Sequence, residues 1–353
     1  MKLLRAYLWR ATLVPALAII GILMLLDGLF GFVYELESLR NDYQAWQALV
    51  FVLTTLPRRL AEFLPMAILL GALTGLGLLA NSGELTVMRA AGMSTSRIAW
   101  YVLRPAIFLL VLGALVSEYI SPYTEQVAQS KRSMAMAGDE ALISRSGLWH
   151  REGNEFIYIN AVEPNGVLHG ITRLIFDKHD ELVDSQYISR ALYQGDYWSL
   201  ENIHGSRNSI DRVEPYREEM GRWQVELTPQ VLGIIMLDPD RLAFSKLYQY
   251  ASYLNEQGLS AGEYWLALWQ KVAMPFATLG MVLIAVSFIF GPLRSVTMGL
   301  RMTAGIMAGV IFHYGQQFVG ELSLMFEVSP ILAASIPALV CLVAGVVLVQ
   351  SVR

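Results

Sequence analysis

What this chain can fold into is constrained above all by six long apolar runs, three on each side of a polar stretch from about Ser121 to Gly262. The runs are Leu13 to Val33, Leu60 to Ala80, Pro105 to Ile120, Val272 to Phe290, Met302 to Gly320 and Ile331 to Val349. Each is close to the roughly 20 residues that a helix needs to cross about 30 Å of hydrocarbon. The composition agrees: 55% of residues are hydrophobic and 16% charged, against about 25% charged in ordinary soluble domains. The mean hydropathy is +0.45. The predicted fold is therefore an α-helical membrane protein with six transmembrane helices, arranged 3+3, and an inserted all-β domain. The boundaries are 1–136 for the first three helices, 137–243 for the β domain and 244–353 for a connecting helix and the last three spans.

A net charge of −4, with no run of Lys and Arg, gives no footprint for a nucleic-acid partner. Cys341 is the only cysteine and lies in an apolar run, which excludes an internal disulfide and a Cys-based metal site. Lys2, Arg5 and Arg10 precede a run too long for a signal-peptide core, so the first run reads as a retained anchor. Lys2, Arg5, Arg10, Arg89, Arg97, Arg104, Arg294, Arg301 and Arg353 all fall on one side of the predicted membrane. The positive-inside bias makes that side cytoplasmic, with both termini on it and the insert outside.

Along the chain, Asp27 stands near the outer end of the first run. It is read as a carboxylate near the headgroups, as one paired within the bundle, or as part of a substrate path. Tyr34 to Leu56 is predicted as an outer connection with a helix near Tyr43 to Leu53, and Pro57 opens the second run. Arg40, Arg58 and Arg59 lie on the side that the charge bias leaves poor in cations. Phosphate binding at the outer leaflet and ordinary snorkelling both account for that placement. Ala67, Gly71 and Gly75 recur every four residues, as do Gly305 and Gly309, which predicts close helix packing.

Between the second and third runs, Ser82 as N-cap, Glu84 in the first turn and Gly92 as C-cap predict a short amphipathic helix at about 82–92, followed by the polar Ser94 to Arg97. It either lies on the membrane or docks a soluble partner. After the third run, Ser121 to Met136 reads as a polar helical extension bearing Lys131 and Arg132. Strands with period-two alternation are predicted at Phe156–Val162, Val167–Phe176, Leu182–Tyr193, Tyr197–Ile203 and Arg222–Leu227, with turns at Glu163–Gly166 and Asp177–Asp180. That spacing implies an antiparallel sandwich or barrel. A helix from Ser245, as N-cap, to Gln257 before Gly258 leads through the interfacial Tyr264, Trp265 and Trp269 into the fourth run. The fourth and fifth runs are joined by a tight turn, Phe290 to Arg301. In the fifth run His313, Gln316 and Gln317 share one face, predicting a stripe turned to the bundle or to a cavity.

Several chemistries are missing. The chain has no phosphate loop, no HExxH and no GxSxG elbow. Its histidines, His150, His169, His179, His204 and His313, show no ligand spacing. A membrane enzyme or sensor would want paired intramembrane groups, whereas Asp27, Glu118 and His313 stand apart in the sequence. Work by this chain needs an external energy source.

Three segments resemble the lipopolysaccharide export permease family LptF/LptG: Leu64-Pro-Met-Ala-Ile-Leu-Leu-Gly-Ala-Leu, Gly83-Glu-Leu-Thr-Val-Met-Arg-Ala-Ala-Gly92 and Ser287-Phe-Ile-Phe-Gly-Pro-Leu-Arg-Ser-Val-Thr-Met-Gly-Leu-Arg301. The last, with Trp269 and Lys271 before it, is nearer the LptG branch, and the similarity covers nearly the whole chain. The resemblance implies a Gram-negative inner-membrane heterodimer with LptF, driven by two copies of the ATPase LptB, with LptC as a further partner. Lipopolysaccharide would be taken from the outer leaflet and passed to a periplasmic bridge. ATP and magnesium would be bound by the ATPase and no cofactor by this chain, and the insert would be a periplasmic β-jellyroll.

By the same resemblance, Glu84, Leu85, Met88, Arg89 and Arg97 are the ATPase-coupling set, and Arg58, Arg59, Lys131 and Arg132 the lipid-phosphate set. His313, Gln316 and Gln317 would line the cavity. The chain departs from the family pattern near the end of the first run, where Gly31, Glu37 and Ser38 stand in place of basic residues. A permease for another lipid, or a lipoprotein exporter, is the alternative. Lipoprotein-releasing subunits place their large domain after the first of four spans, and here three spans precede the insert.

Overall fold

A computed structural model describes residues 2–39, 42–137, 148–162, 166–177, 181–209, 212–225, 228, 232, 238–256, 260–290, 297–326 and 328–351. Arg40, Arg294, Arg353, Leu227, His179, Gly258 and parts of the turns predicted at Glu163–Gly166, Asp177–Asp180 and Phe290–Arg301 lie outside the described residues. The chain forms two compact units. One comprises Met1–Asp27, Pro57–Tyr119 and Ala243–Arg353; the other comprises Gly28–Leu56 and Ile120–Leu242.

The helices are α1 (Lys2–Leu36), α2 (Ala45–Asn81), α3 (Glu84–Ala90), α4 (Thr95–Leu115), α5 (Ser121–Ala137), α6 (Phe244–Glu256), α7 (Gly262–Phe290), α8 (Met298–Met325) and α9 (Pro330–Ser351). Among the described residues, five helical stretches are long and apolar enough to cross a membrane: Leu3–Leu36, Ala45–Asn81, Thr95–Met136, Gly262–Phe290 and Pro330–Ser351. The polar stripe of His313, Gln316 and Gln317 interrupts the apolar course of α8, which is 28 residues long.

Two helix boundaries differ from expectation. A separate helix near Tyr43 to Leu53 is not formed, because α2 runs unbroken from Ala45 through Pro57 and Pro65. Proline removes one backbone bond, and membrane helices accommodate that loss through neighbouring groups. At the start of α6, Ser245 is not the N-cap. The Glu118 carboxylate accepts from the backbone N–H of Phe244 at 2.8 Å and of Ser245 at 3.3 Å. Glu118 projects from a π-helical turn, Val116–Ile120, between α4 and α5, and a carboxylate suits the positive end of a helix.

In the first unit, α1 and α2 approach through the predicted small residues. A Cβ at Gly71 would stand 2.6 Å from Ala16 Cα, so only glycine permits this contact. Leu8, Ala16 and Ile20 of α1 join a core with Leu64 to Leu79 of α2, Ile98 to Leu109 of α4 and Val282 to Phe290 of α7.

The second unit contains a six-stranded antiparallel sheet in sequential order. Its strands are β1 (Leu148–Glu152), β2 (Glu155–Val162), β3 (Val167–Phe176), β4 (Leu182–Tyr193), β5 (Trp198–Ser209) and β6 (Arg212–Trp223). The strand predicted at Arg222–Leu227 is replaced by β6, an exposed edge strand whose Pro215 lies opposite Ser206. Proline is at home on an edge, where its missing N–H breaks no ladder.

Ladder pairing lapses along one line, at Asn160, Gly170, Ser189 and Asn202, without a change of register. Gly170 and Asn202 have φ of 62° and 54° there. Across the line the buried parity switches: Ile159 gives way to Val162, Ile171 to Leu168, Ile188 to Ala191 and Ile203 to Leu200, all in one core. A strand that keeps its pleat would send those pairs to opposite faces. The line is therefore a crease, along which the sheet bends around its core. Helix α5 packs on β2, where Ser130 Oγ donates to the carbonyl oxygen of Val162.

Candidate functional site

The helix α3 hangs between two glycines. Gly83, at φ 78°, occupies its N-cap position with no side-chain cap, so Ser82 does not cap it. A left-handed backbone is what closes the sharp turn after α2, and glycine adopts it without steric cost. Ser82 Oγ instead donates to Glu84 Oε1 at 2.9 Å, and the Tyr7 hydroxyl donates to Glu84 Oε2 at 2.7 Å. At the other end Gly92, at φ 86°, allows its N–H to reach Arg89 O at 2.9 Å and the Met93 N–H to reach Met88 O at 3.1 Å. That pair of bonds is a Schellman termination. Ser94 then caps α4 by accepting from the Arg97 N–H at 3.3 Å.

The predicted coupling set divides into two faces. Leu85 and Met88 are buried in the chain's own core, so they anchor α3 rather than present it. Arg89 is half-buried, with its guanidinium 5.8 Å from the Phe290 ring centroid. Glu84 is half-buried and Arg97 exposed. Val87, which the sequence reading did not select, is 68% exposed on the outward face. Its signal was available: with Leu85 and Met88 inward, the helical period turns residue 87 outward.

The four predicted phosphate-binding cations are placed as follows. In the first unit Arg58 pairs with Glu62 one turn on, and Arg59 pairs with Asp27. Asp27 is thus a carboxylate neutralised within the chain. In the second unit Arg132 Nε donates to Glu35 Oε2 at 2.9 Å, and the Tyr43 hydroxyl donates to the same oxygen at 2.8 Å. The guanidinium stands 5.8 Å from the Tyr43 ring centroid and 5.4 Å from that of Phe51. Burial, and then the bond to Glu35, push the Tyr43 phenol well above its usual range. Lys131 is exposed.

Of the polar stripe on α8, His313 and Gln317 are exposed and Gln316 half-buried. The stripe does not face this chain's own bundle, and Gln317 Nε2 donates to Glu321 Oε1 at 3.4 Å.

A chain with several helices able to cross a membrane, an antiparallel sheet set in sequence between two groups of them, and a short glycine-bounded helix linking two of the spans has the make-up of a polytopic membrane protein. The family model described as lipopolysaccharide export system permease LptF/LptG matches residues 6–351, and the chain belongs to that family. It is 36% identical over 336 residues to the lipopolysaccharide export system permease protein LptG of Escherichia coli strain K12, covering 94% of this chain and 93% of the relative. It is 35% identical over 332 residues to LptG of Haemophilus influenzae, covering 92% and 93%.

Proposed function

We propose that this chain is the LptG-type permease subunit of a transporter that extracts lipopolysaccharide from the outer leaflet of the inner membrane. The observation that carries the reading is the family match from residue 6 to residue 351, which spans the helices, the sheet and α3 alike. The chain pairs with LptF, is driven by two LptB subunits that bind ATP and magnesium, and has LptC as a further partner. Its termini and α3 are cytoplasmic, and its sheet is periplasmic. The domain boundaries are those read from the sequence, 1–136, 137–243 and 244–353.

The sixth span is α8, whose 28 residues extend about 42 Å at 1.5 Å per residue, more than a bilayer core needs. Its exposed polar stripe and the largely exposed α1 face a cavity shared with LptF. Acyl chains occupy the apolar interior of that cavity, while cations of this chain meet the lipid A phosphates. ATP-driven movement of α3 closes the cavity and drives lipid upward. The creased sheet, with its apolar core, supports the reading of the insert as a jellyroll that shields acyl chains.

The test is to co-express this chain with a candidate LptF and LptB, purify by a tag on this chain, and measure ATP hydrolysis in proteoliposomes with and without lipopolysaccharide. Copurification of all three with lipid-responsive hydrolysis is expected. Failure to retain any ATPase would remove the energy source and sink the proposal, and response to a lipoprotein instead would favour the alternative exporter class.

Among the proposed phosphate-binding cations, Lys131 gives the cleanest test. Removing Arg132 would leave Glu35 buried without its counter-charge, at a cost of about 3 kcal/mol or more. Exposed Lys131 has no such burden. Lys131→Glu is expected to weaken photo-crosslinking to lipopolysaccharide several-fold while leaving the melting temperature unchanged. Unchanged crosslinking would make Lys131 an interfacial anchor.

A further inference from the structure

The charge bias along the sequence puts Arg301 at the cytoplasmic surface as part of the basic flank of α8, and it is instead completely buried, at 0% exposure. Its Nη1 donates to the Gly77 carbonyl and to Asn81 Oδ1, each at 3.0 Å. Asn81 lies in the last turn of α2 and Gly77 just before it, beside the aligned carbonyls of the helix end, whose partial negative charge favours a cation. Only Ser82 and Gly83 separate that turn from α3.

The contact continues along α8. Thr74 Oγ1 lies 3.0 Å from Met302 Sδ. A Cβ at Gly305 would meet Leu73 and, at 3.2 Å, Leu70; one at Gly309 would meet Met66 at 2.6 Å and Leu69 at 3.5 Å. Arg301, Met302, Gly305 and Gly309 fall on one side of a helix, whose N-terminal part is thereby keyed into α2. The exposed His313 and Gln317 belong to the same helix.

We propose that Arg301 is a positioning residue that locks the C-terminal end of α2, and with it α3, to α8, so that displacement of α3 is delivered to the polar stripe of α8. This rests on the docking role given to α3 above. Stability alone is a poor reason for the residue, since taking a guanidinium out of water costs several kcal/mol before any bond repays it. The two bonds instead fix one geometry between two helices.

The test uses the full complex with its ATPase and three variants, Arg301→Met, Arg301→Lys and Asn81→Ala. Two readouts are taken: lipopolysaccharide released per ATP hydrolysed, and hydrogen exchange at the α3 amides relative to those of α9. With charge-assisted bonds lost, Arg301→Met is expected to speed α3 exchange and lower release per ATP by about tenfold each, with ATPase recruitment unchanged. Arg301→Lys should recover part of the loss, and Asn81→Ala should show a few-fold effect. Wild-type exchange and release per ATP in Arg301→Met would overturn the proposal. If that variant does not fold, wild-type behaviour of both Arg301→Lys and Asn81→Ala overturns it equally. The exchange readout does not depend on the cargo. If the wild-type complex releases no lipopolysaccharide, the transport reading fails while exchange still decides the role of Arg301.

Discussion

Gly75→Ala is expected to destabilise the purified protein by about 3 kcal/mol or more, whereas Gly21→Ala is expected to be neutral or slightly stabilising. The chemistry of the two substitutions is the same, and both positions are inside long helices. A Cβ on Gly75 would run into the carbonyl oxygen of Ala11 and stand 2.8 Å from its carbon and 3.2 Å from Thr12 Cα. Those neighbours are backbone, so no rotamer change relieves the clash, and α1 must lift off α2. Lifting it weakens the contacts of Leu8, Ala16 and Ile20 with the α2 core. In a bilayer these dispersion contacts matter more than in water, because lipid supplies no hydrophobic drive for helix association. Nothing lies within 4 Å of the corresponding Cβ at Gly21, and alanine there gains about 1 kcal/mol of helix propensity. Thermal unfolding in detergent, followed by tryptophan fluorescence, distinguishes the two. Equal melting of Gly75→Ala and wild type would mean that α1 does not pack on α2 at this seam.

That seam was legible in the sequence because small residues at a four-residue interval mark one face of a helix, but the spacing does not say which helix meets them. The apolar runs were legible for a similar reason, since length and composition alone identify a helix able to span hydrocarbon. The missed features are those decided by distant residues. Arg132 stood out as a cation just beyond a run, yet its partner Glu35 lies 97 residues earlier in the chain. Arg301 reads in the sequence as a surface charge because the flanking-charge rule assigns sides and says nothing of burial; its acceptors are 220 or more residues away. Strand β6 escaped because an exposed edge carries charges and Pro215 in place of alternating apolar residues. The crease across the sheet breaks period-two reading in β2 to β5, and only Gly170 hints at it locally. Ser82 had the right chemistry for an N-cap, but the turn after α2 demanded a left-handed residue, and Gly83 supplies it.

The same inward and outward division makes a sharp prediction for α3. Glu84→Gln is expected to reduce retention of the ATPase proposed as its partner about tenfold or more, in line with the loss of one member of a charge pair at an interface. Leu85→Ala should instead lower thermal stability by about 2–5 kcal/mol, as cavity formation in a packed core does. The two oxygens of Glu84 accept from Tyr7 and Ser82, yet a carboxylate has about four acceptor positions, so capacity for a partner's cation remains. Those two hydroxyls are neutral donors and hold the side chain in place without cancelling its charge. The amide of glutamine can still accept from one of them, which separates loss of charge from loss of position. Glu84→Ala removes both and should be at least as severe, while Tyr7→Phe, which spares the charge, should retain the ATPase. Copurification yield and melting temperature measured on the same preparations give the discriminating pair of readouts. Wild-type retention of the ATPase by both Glu84 variants would remove this residue from the docking surface and shift the contact to exposed neighbours such as Val87 and Arg97.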